Sequence, residues 1–312
     1  MTSRDELLGH RESSMTFAGE LSFLRRKVTQ DISNADIVIS GIPFDSTTTN
    51  RPGARFGPQA IRAASVQLAE LAEHAFPSGA DLFADLAIAD YGDCELPSAY
   101  STQVVDRIFN HAQAILRHDA MMVSLGGDHF VTYPLLQAHA EKYGPLSLLH
   151  FDAHVDTWKD DGEQLDHGNM FLRAVKEGII VPEKSVQVGI RSFSDDDYGF
   201  IVLDSPWVHE HGPDNVVTRI REVIGDSPTY LTFDIDCLDP AFAPGTGTPV
   251  AGGLSSMQAL TIIRQLGNMN FIGMDLVEVA PAYDHAEITA IAAATIIHDF
   301  IALMAKASQD DL

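Results

Sequence analysis

Cysteine and basic residues are scarce in this sequence of 312 residues. Only Cys94 and Cys237 occur, too few for a disulfide framework, which predicts a reducing compartment and a cytoplasmic protein. Lysine and arginine number 20 against 44 aspartates and glutamates. The net charge of −24 argues against nucleic acid or an anionic membrane surface as a partner. It would favour small cations, although acidity of this kind is equally typical of an abundant, highly soluble protein.

Long apolar runs, internal repeats and low-complexity linkers are also missing. No apolar stretch approaches the ~18 residues that span a bilayer, and the N-terminus lacks the apolar core of a signal peptide. The composition is 45% apolar, as expected of a globular protein with a substantial core. We therefore predict a single domain over residues 31–312, preceded by an N-terminal extension, residues 1–30, with weak periodicity.

Short apolar runs alternate with amphipathic stretches from about residue 35 onward. Strands are predicted at 37–39, 86–88, 121–125, 146–151, 185–188, 230–233 and from 271. Helices are predicted at 104–116, 216–224 and 286–305, with another beginning near Pro58. This alternation predicts an α/β fold in which a parallel sheet is covered by helices on both faces.

Three of the predicted strands are followed directly by potential metal ligands: His129; Asp152, His154 and Asp156; Asp234 and Asp236. Ligands of open α/β sheets bind beyond the carboxyl ends of the strands. In an extended segment residues i, i+2 and i+4 share a face, so each segment could direct its ligands into one site. The alternative is that these are solvated loop acids and a histidine that serves the packing.

Six ligands exceed the need of one ion that also binds water. Two ions about 3.5–4 Å apart, bridged by carboxylates, would use all six. Carboxylate-rich ligation without cysteine favours manganese over zinc. The sequence therefore predicts a site for two Mn²⁺ ions.

The sequence motifs around these ligands resemble those of the ureohydrolases, the family of arginases and agmatinases, and look most like those of the bacterial agmatinases. The resemblance runs from about Asp36 to the last helix. It is carried by the segments GIPFD at 41–45, RPGARFGP at 51–58, GGDH at 126–129, FDAHVD at 151–156, DHG at 166–168, FDIDCLDPAFAPGTGTP at 233–249 and MDLVEVAP at 274–281. The long segment ending at 249 is specific by itself.

The resemblance implies an arginase-like three-layer α/β/α sandwich around an eight-stranded sheet. It also implies a ligand scheme with two bridging residues, Asp152 and Asp234. One ion would be held by the bridges with His129 and Asp156, and the other by the bridges with His154 and Asp236. Asp128 is expected to orient His129 rather than bind metal.

Three residues are expected to act on the substrate. Glu278 resembles the carboxylate that clamps a guanidinium group through paired hydrogen bonds. Asp156 is the candidate for delivering a proton to the departing amine, and His167 for a proton shuttle or substrate contact. The alternatives are a surface glutamate at 278 and a structural histidine at 167.

The resemblance implies cleavage of a guanidino compound to urea and an amine by a homo-oligomer, a trimer or hexamer, in which the extension at residues 1–30 could form subunit contacts. We predict a small cationic guanidino substrate, agmatine, because acids at 160–166 and 195–197 would suit an ammonium tail. These acids could equally be solvated.

Three other functions compete with agmatine hydrolysis. The chain could hydrolyse guanidinobutyrate, arginine or a similar compound. It could be a non-catalytic polyamine-binding protein, or a deacetylase-type amidohydrolase with one zinc ion, which would need fewer carboxylates.

Overall fold

The structure, a computed structural model, describes residues 2–9, 15–70, 76, 79, 81–96, 103–159, 162 and 164–310. Nine strands form one sheet in these ranges, and every neighbouring pair is parallel. Their bounds are β1 Lys27–Val28, β2 Ile37–Ile42, β3 Ile88–Asp93, β4 Met121–Gly126, β5 Ser147–Phe151, β6 Val186–Ile190, β7 Ile201–Asp204, β8 Thr229–Asp234 and β9 Phe271–Val277. Across the sheet the order is β1-β3-β2-β4-β9-β8-β5-β6-β7.

Helices cover both faces of this sheet. Their bounds are α1 Arg4–Leu7, α2 Gly57–Ala69, α3 Leu82–Asp85, α4 Val104–Leu116, α5 Thr132–Tyr143, α6 Met170–Lys176, α7 Ser205–Ile224, α8 Ser256–Arg264 and α9 Ile288–Asp310. One hydrophobic core joins α2, α7, α8 and α9 to one face of the sheet. The other joins α4, α5 and α6 to the opposite face.

The alternation of side chains along β2 shows how one strand serves both cores. Ile37 and Ile39 pack into the first core, whereas Val38 and Ile42 pack into the second. Strands buried on both faces are typical of parallel sheets between helical layers. The predicted three-layer α/β/α architecture is thus confirmed, and β1 adds a short ninth strand to the expected eight.

The N-terminal extension contributes to the first of these two cores. Phe23 and Leu24 are buried, and β1 pairs with β3. The backbone N–H of Phe23 donates to Asp90 at 2.9 Å, and that of Leu24 donates to Ser65 Oγ at 2.8 Å. The extension's use in subunit contacts stays a prediction.

The expectation that no apolar stretch is long enough to span a bilayer was wrong. The window Ile288–Ala305 of α9 has 18 residues and a mean hydropathy of 1.9, so it is long and apolar enough to cross a bilayer. Of this window 72% is buried inside the fold. Ala293, Ile297 and Phe300 are fully buried against the first core, which marks α9 as a core helix.

Candidate active site

Four adjacent strands at the centre of the sheet end at one place. β4, β9, β8 and β5 are neighbours, and the residues that follow them are Asp128-His129, Glu278, Ile235-Asp236 and Asp152. Parallel pairing puts all four carboxyl ends at the same edge. The separate segments of the sequence therefore converge on one buried cluster.

The first half of this cluster surrounds the imidazole of His129. Its Nδ1 atom lies 3.0 Å from Asp152 Oδ2, 2.9 Å from Asp156 Oδ2 and 3.3 Å from Asp234 Oδ2. Nevertheless this buried nitrogen makes no hydrogen bond to any residue that the structure describes. Three carboxylate oxygens and a nitrogen lone pair directed at one point fit a cation.

The other nitrogen of His129 fixes the tautomer. Thr232 Oγ1 donates its single proton to Asp275 Oδ1 at 2.5 Å, so it accepts one from His129 Nε2 at 2.9 Å. With the proton on Nε2, a neutral ring presents a lone pair at Nδ1, as a metal ligand requires. Asp275 also accepts from the hydroxyls of Thr132 and Tyr230.

The second half of the cluster surrounds His154. Its Nδ1 atom lies 3.2 Å from both Asp152 Oδ1 and Asp236 Oδ2. The two oxygens of Asp152 thus face different histidines, which is the arrangement that a bridging carboxylate needs. Asp234 directs one oxygen to His129 and accepts the backbone N–H of Asp236 on the other at 2.8 Å.

The protonation equilibria show that negative charge is crowded here. Burial, together with Asp236 and Asp152, raises the pKa of Asp234 well above its usual range. Burial opposes protonation of His129, but its three carboxylate neighbours outweigh burial and raise the pKa of that ring well above its usual value. For His154 the carboxylates likewise outweigh burial and raise the pKa to about 12. Divalent cations would relieve this repulsion, so the donor set fits the predicted metal pair.

Glu278 lies beside the cluster and is almost fully buried. Its Oε1 atom accepts hydrogen bonds from the backbone N–H of His129 at 2.9 Å and from His167 Nδ1 at 3.1 Å. Its buried Oε2 atom has no hydrogen-bond partner among the described residues. A Cβ added at Gly247 would lie 3.5 Å from Oε2, so this glycine borders that oxygen. The position is not that of a surface glutamate.

Two predicted site residues adopt backbone conformations that side chains rarely take. Asp156 has φ 50° and Glu278 has φ 66°. A non-glycine residue in the left-handed region costs on the order of 1–3 kcal/mol and often marks a functional site. Surrounding contacts hold both residues in place: Asp156 accepts from the backbone N–H of Phe171, and the N–H of Glu278 donates to Gly127.

His167 connects the cluster to the loop over it. Besides donating to Glu278, its ring approaches the backbone N–H of Thr49 through Nε2 at 3.3 Å and the Thr49 hydroxyl at 3.1 Å. Glu278 outweighs the effect of burial and raises the pKa of His167 to about 9. The Thr49 N–H, which needs an acceptor, favours a neutral ring with its proton on Nδ1 instead. This tautomer satisfies both ring nitrogens, since Nδ1–H donates to Glu278 and Nε2 accepts from Thr49.

The acids predicted to face the substrate tail are only partly described by the structure. Asp160, Asp161 and Glu163 lie outside the described residues. Asp166 accepts the backbone N–H of Gly168 at 2.9 Å, and Asp196 accepts that of Tyr198 at 2.8 Å. These described carboxylates stabilise turns, and their hydrogen bonds give no support to a role at the entrance.

Asp128 also differs from expectation. Its Oδ2 atom accepts from the N–H of Thr47 at 2.9 Å and from the Thr47 hydroxyl at 2.8 Å. It therefore anchors the loop that carries Thr49, and no hydrogen bond to the His129 ring is found in the described part of the chain. Burial, with help from the charge of Glu278, raises the pKa of Asp128 to about 7.

Four supporting residues escaped the sequence analysis: His150, Gln187, Thr232 and Asp275. Gln187 Nε2 donates to His150 Nδ1 at 3.0 Å, so His150 directs its Nε2 proton to Asp152 at 2.7 Å. Strand alternation could have indicated His150, which precedes Asp152 by two residues and shares its face. Gln187 lies on another strand and gives no such signal.

The cluster lies within a region shared with known proteins. The sequence profile of the arginase family matches residues 35–302. The chain is 60% identical over 291 residues to an agmatinase of Chromobacterium violaceum, covering 93% of this chain and 90% of that protein. A solved structure of a hypothetical agmatinase from Burkholderia thailandensis is 58% identical, with a TM-score of 0.95 over 97% of this chain and 96% of that one. The proclavaminate amidino hydrolase of Streptomyces clavuligerus is 37% identical, with a TM-score of 0.89 over 94% of this chain and all of that one.

Proposed function

The chain belongs to the arginase family, and we propose that it hydrolyses agmatine to urea and putrescine. The observation that carries this proposal is the free Oε2 atom of Glu278, a buried carboxylate oxygen without a described partner beside the metal cluster. A guanidinium group supplies both the positive charge and the donors that this oxygen lacks. The identity to an agmatinase over nearly the whole chain supports agmatine as the compound that bears it.

Two Mn²⁺ ions are the proposed cofactors. His129, Asp152, Asp156 and Asp234 would hold one ion, and His154, Asp152, Asp234 and Asp236 the other. Such a pair, when bound, supplies a water-derived nucleophile near neutral pH and an electrophilic environment for the substrate. Oxygen-rich ligation supports manganese over zinc.

The protein's contribution to binding comes from Glu278. Oε1 is held by His129 and His167, so Oε2 points in a fixed direction from a buried side chain. A planar guanidinium paired with this carboxylate would be oriented with its carbon toward the cluster. Holding the reacting groups in this geometry lowers the entropic cost of attack.

Proton transfer falls to Asp156 and His167. Asp156 belongs to the cluster, with its Oδ2 atom 2.9 Å from His129 Nδ1, and its carboxylate is the proposed carrier of a proton to the departing amine. A guanidinium on Glu278 would offset the charge that raises the pKa of His167. That histidine would then titrate nearer its ordinary range and exchange protons during turnover.

Another guanidino compound is the second candidate substrate. It is favoured by the similarity to proclavaminate amidino hydrolase over nearly the whole chain. All proposed ligands and Glu278 are present together, which supports catalysis over the binding of polyamines alone. A one-zinc amidohydrolase would not need this number of carboxylates.

The proposal is tested by the release of urea from matched substrates. Purified protein loaded with manganese is given agmatine, guanidinobutyrate or arginine, and urea and amine are quantified. We expect the highest kcat/KM for agmatine, with equimolar putrescine. Faster cleavage of guanidinobutyrate or arginine would contradict agmatine as the substrate and leave the ureohydrolase chemistry in place.

The role of Glu278 is tested by Glu278→Gln, which keeps the shape and removes the charge. We expect kcat/KM to fall on the order of 10³-fold, comparable to the loss of a principal electrostatic contact in other active sites, while two ions remain bound. Metal content and urea release are measured on the same sample. Metal loss would show that Glu278 supports the cluster, and unchanged turnover would remove it from the site.

The assembly and compartment follow as parts of the same proposal. We propose a homo-oligomer, a trimer or hexamer, in the cytoplasm, where putrescine production would serve polyamine metabolism. Both cysteines are buried thiols, which suits a reducing compartment. Mass determination in solution tests the assembly, and a monomer at micromolar concentration would contradict it.

A further inference from the structure

An exposed tryptophan lies next to one of the proposed metal ligands. The indole of Trp158 is 39% exposed, and its ring centroid lies 5.9 Å from the imidazole centroid of His154. A β-carbon added to Gly168 would come within 2.9 Å of the indole, so the ring also lies against the turn that carries His167. Trp158 thus lies next to His154 of the metal cluster and next to the turn that carries His167, a proposed proton carrier.

One backbone and one side-chain hydrogen bond hold Trp158 in place although its ring is exposed. The backbone N–H of Trp158 donates to the carbonyl of Gly168 at 3.0 Å. The indole Nε1–H donates to the carbonyl of Phe193 at 3.2 Å. The ring therefore spans two loops that follow different strands. Its orientation is fixed before any ligand arrives, which limits the entropy lost on binding.

The indole has the chemistry to receive an alkyl cation. Tryptophan offers the strongest cation–π face among the aromatic side chains, and its carbon atoms pack against methylene groups. Agmatine has both parts, because a four-carbon chain separates its guanidinium from its ammonium group. With the guanidinium at Glu278, the alkyl chain must leave the buried cluster toward solvent, and Trp158 is an exposed ring next to the cluster residue His154.

We propose that Trp158 forms the wall of the substrate-tail subsite, where it packs against the alkyl chain and binds the terminal ammonium group by its aromatic face. This inference rests on the proposed function, since it assigns the subsite for the tail of the same substrate. It places selection of the cationic tail on an aromatic ring rather than on Asp166 or Asp196, whose carboxylates accept backbone hydrogen bonds within turns.

The kinetic test compares Trp158→Ala, Trp158→Phe and the unmodified enzyme. Loss of the ring should raise KM for agmatine roughly tenfold, the size of a partly desolvated cation–π contact, and leave kcat within about twofold. Trp158→Phe should recover most of the loss, because it keeps the aromatic face without the Nε1–H. Preference for agmatine over guanidinobutyrate should narrow in Trp158→Ala and be retained in Trp158→Phe.

A binding measurement gives a second readout that needs no turnover. The sequence contains two tryptophans, and the other, Trp207, stacks on His211 in α7. The holoenzyme carrying Trp207→Phe therefore reports Trp158 fluorescence alone. Titration with putrescine should give a saturable change, whereas 4-aminobutyrate, in which a carboxylate replaces one amine, should bind at least about tenfold more weakly.

The possible results separate the two proposals. Failure of the agmatine assignment appears as no urea from agmatine with the unmodified enzyme. Failure of the Trp158 assignment appears as an unchanged agmatine KM in Trp158→Ala, or as no putrescine response in a Trp207→Phe enzyme that does release urea. Metal loss or a large drop in kcat in both Trp158 variants would mean that the ring supports the cluster, which also overturns the proposal.

Discussion

Buried carboxylates at two places on this sheet, Asp90 and the active-site cluster, are neutralised in different ways. Asp90 of β3 accepts from Arg62 Nε at 2.8 Å and Nη2 at 2.9 Å, and from the backbone N–H groups of Phe23 and Gly92. Arg62 also donates to Asp93 at 2.6 Å. By contrast, Asp152, Asp234 and Asp236 face histidines, and neither Lys nor Arg forms an ion pair with them in the described ranges.

The difference separates a structural site from a functional one. Around Asp90 the chain supplies its own cation, so the charge is balanced as soon as the protein folds. Carboxylates outweigh the burial of Arg62 and raise the pKa of its guanidinium. At the cluster the positive charge must come from outside, because an unpaired buried carboxylate is costly. The cluster around Asp152, where several buried acids share no Lys or Arg in the described ranges, is therefore the candidate metal site.

The largest expected effect breaks the cluster. Asp152→Ala removes the carboxylate that faces both His129 and His154, so we expect loss of both ions and urea release near background. His154→Ala should weaken mainly one ion. Metal content after dialysis is measured for each variant by elemental analysis. Retention of two ions by Asp152→Ala would refute the bridging assignment.

The second prediction breaks the other group. Arg62→Met leaves Asp90 buried without its cation, which should cost about 3–5 kcal/mol of unfolding free energy. Denaturant unfolding with metal present measures the loss, and Arg62→Met with Asp90→Asn should recover part of it. The folded fraction should keep two ions and an unchanged KM. A loss of metal without a loss of stability would contradict the assignment of Arg62 and Asp90 to a structural site.

A third prediction concerns His139, a buried histidine of α5. Burial lowers the pKa of His139 to about 4, and its Nδ1–H donates to the Leu135 carbonyl at 2.7 Å. An unfolded histidine titrates near 6.5, so between these values the unfolded state binds more protons and stability falls as pH falls.

The expected loss from His139 is roughly 3 kcal/mol between pH 6.5 and 4, with no contribution above about pH 7. In His139→Asn the slope of the unfolding free energy against pH should decrease over this range by the amount that one proton contributes. Unfolding of both proteins is followed across that range with Glu278→Gln as the background, so that turnover plays no part. Equal slopes in the two proteins would show that His139 is not the group responsible.

The smallest expected effect sharpens the cluster's description. Thr232→Val removes the hydroxyl between His129 and Asp275, so metal affinity should fall about tenfold, as for other residues that orient a ligand. Thr229→Val is the matched control, since it is equally buried on β8 and donates to Ser227 instead. Metal titration of both variants decides the matter, and equal affinities would remove Thr232 from the support of His129.

Sequence periodicity predicted most central strands but misplaced several boundaries. Residues 86–88 were expected to form a strand, whereas β3 begins at Ile88 and Leu86 follows α3. The helix expected at 216–224 is the second part of α7, which begins at Ser205. Gly212, at φ 76°, and Pro213 interrupt α7 and divide it into two helical parts.

Family membership and the enzyme class were predicted correctly, and the fold class is confirmed. The roles of the individual site residues stay predictions, although the structure brings all eight positions to one edge of the sheet or to the loops over it. Their residue types and their places after strands are local properties, which a sequence displays directly. This is why a ligand set could be proposed without coordinates.

Residue types and their places after strands were enough to propose the chemistry: six potential carboxylate and imidazole ligands, a glutamate after the last strand and a scarcity of lysine and arginine. The groups that support this chemistry could be identified only from the three-dimensional arrangement. It inserted β9 between β4 and β8, which brings Glu278 to His129 and Asp275 to Thr232. It also directed Asp166 and Asp196 into turns and Trp158 beside His154. Strand order and loop contacts join residues far apart in the chain, and no local pattern encodes such distances.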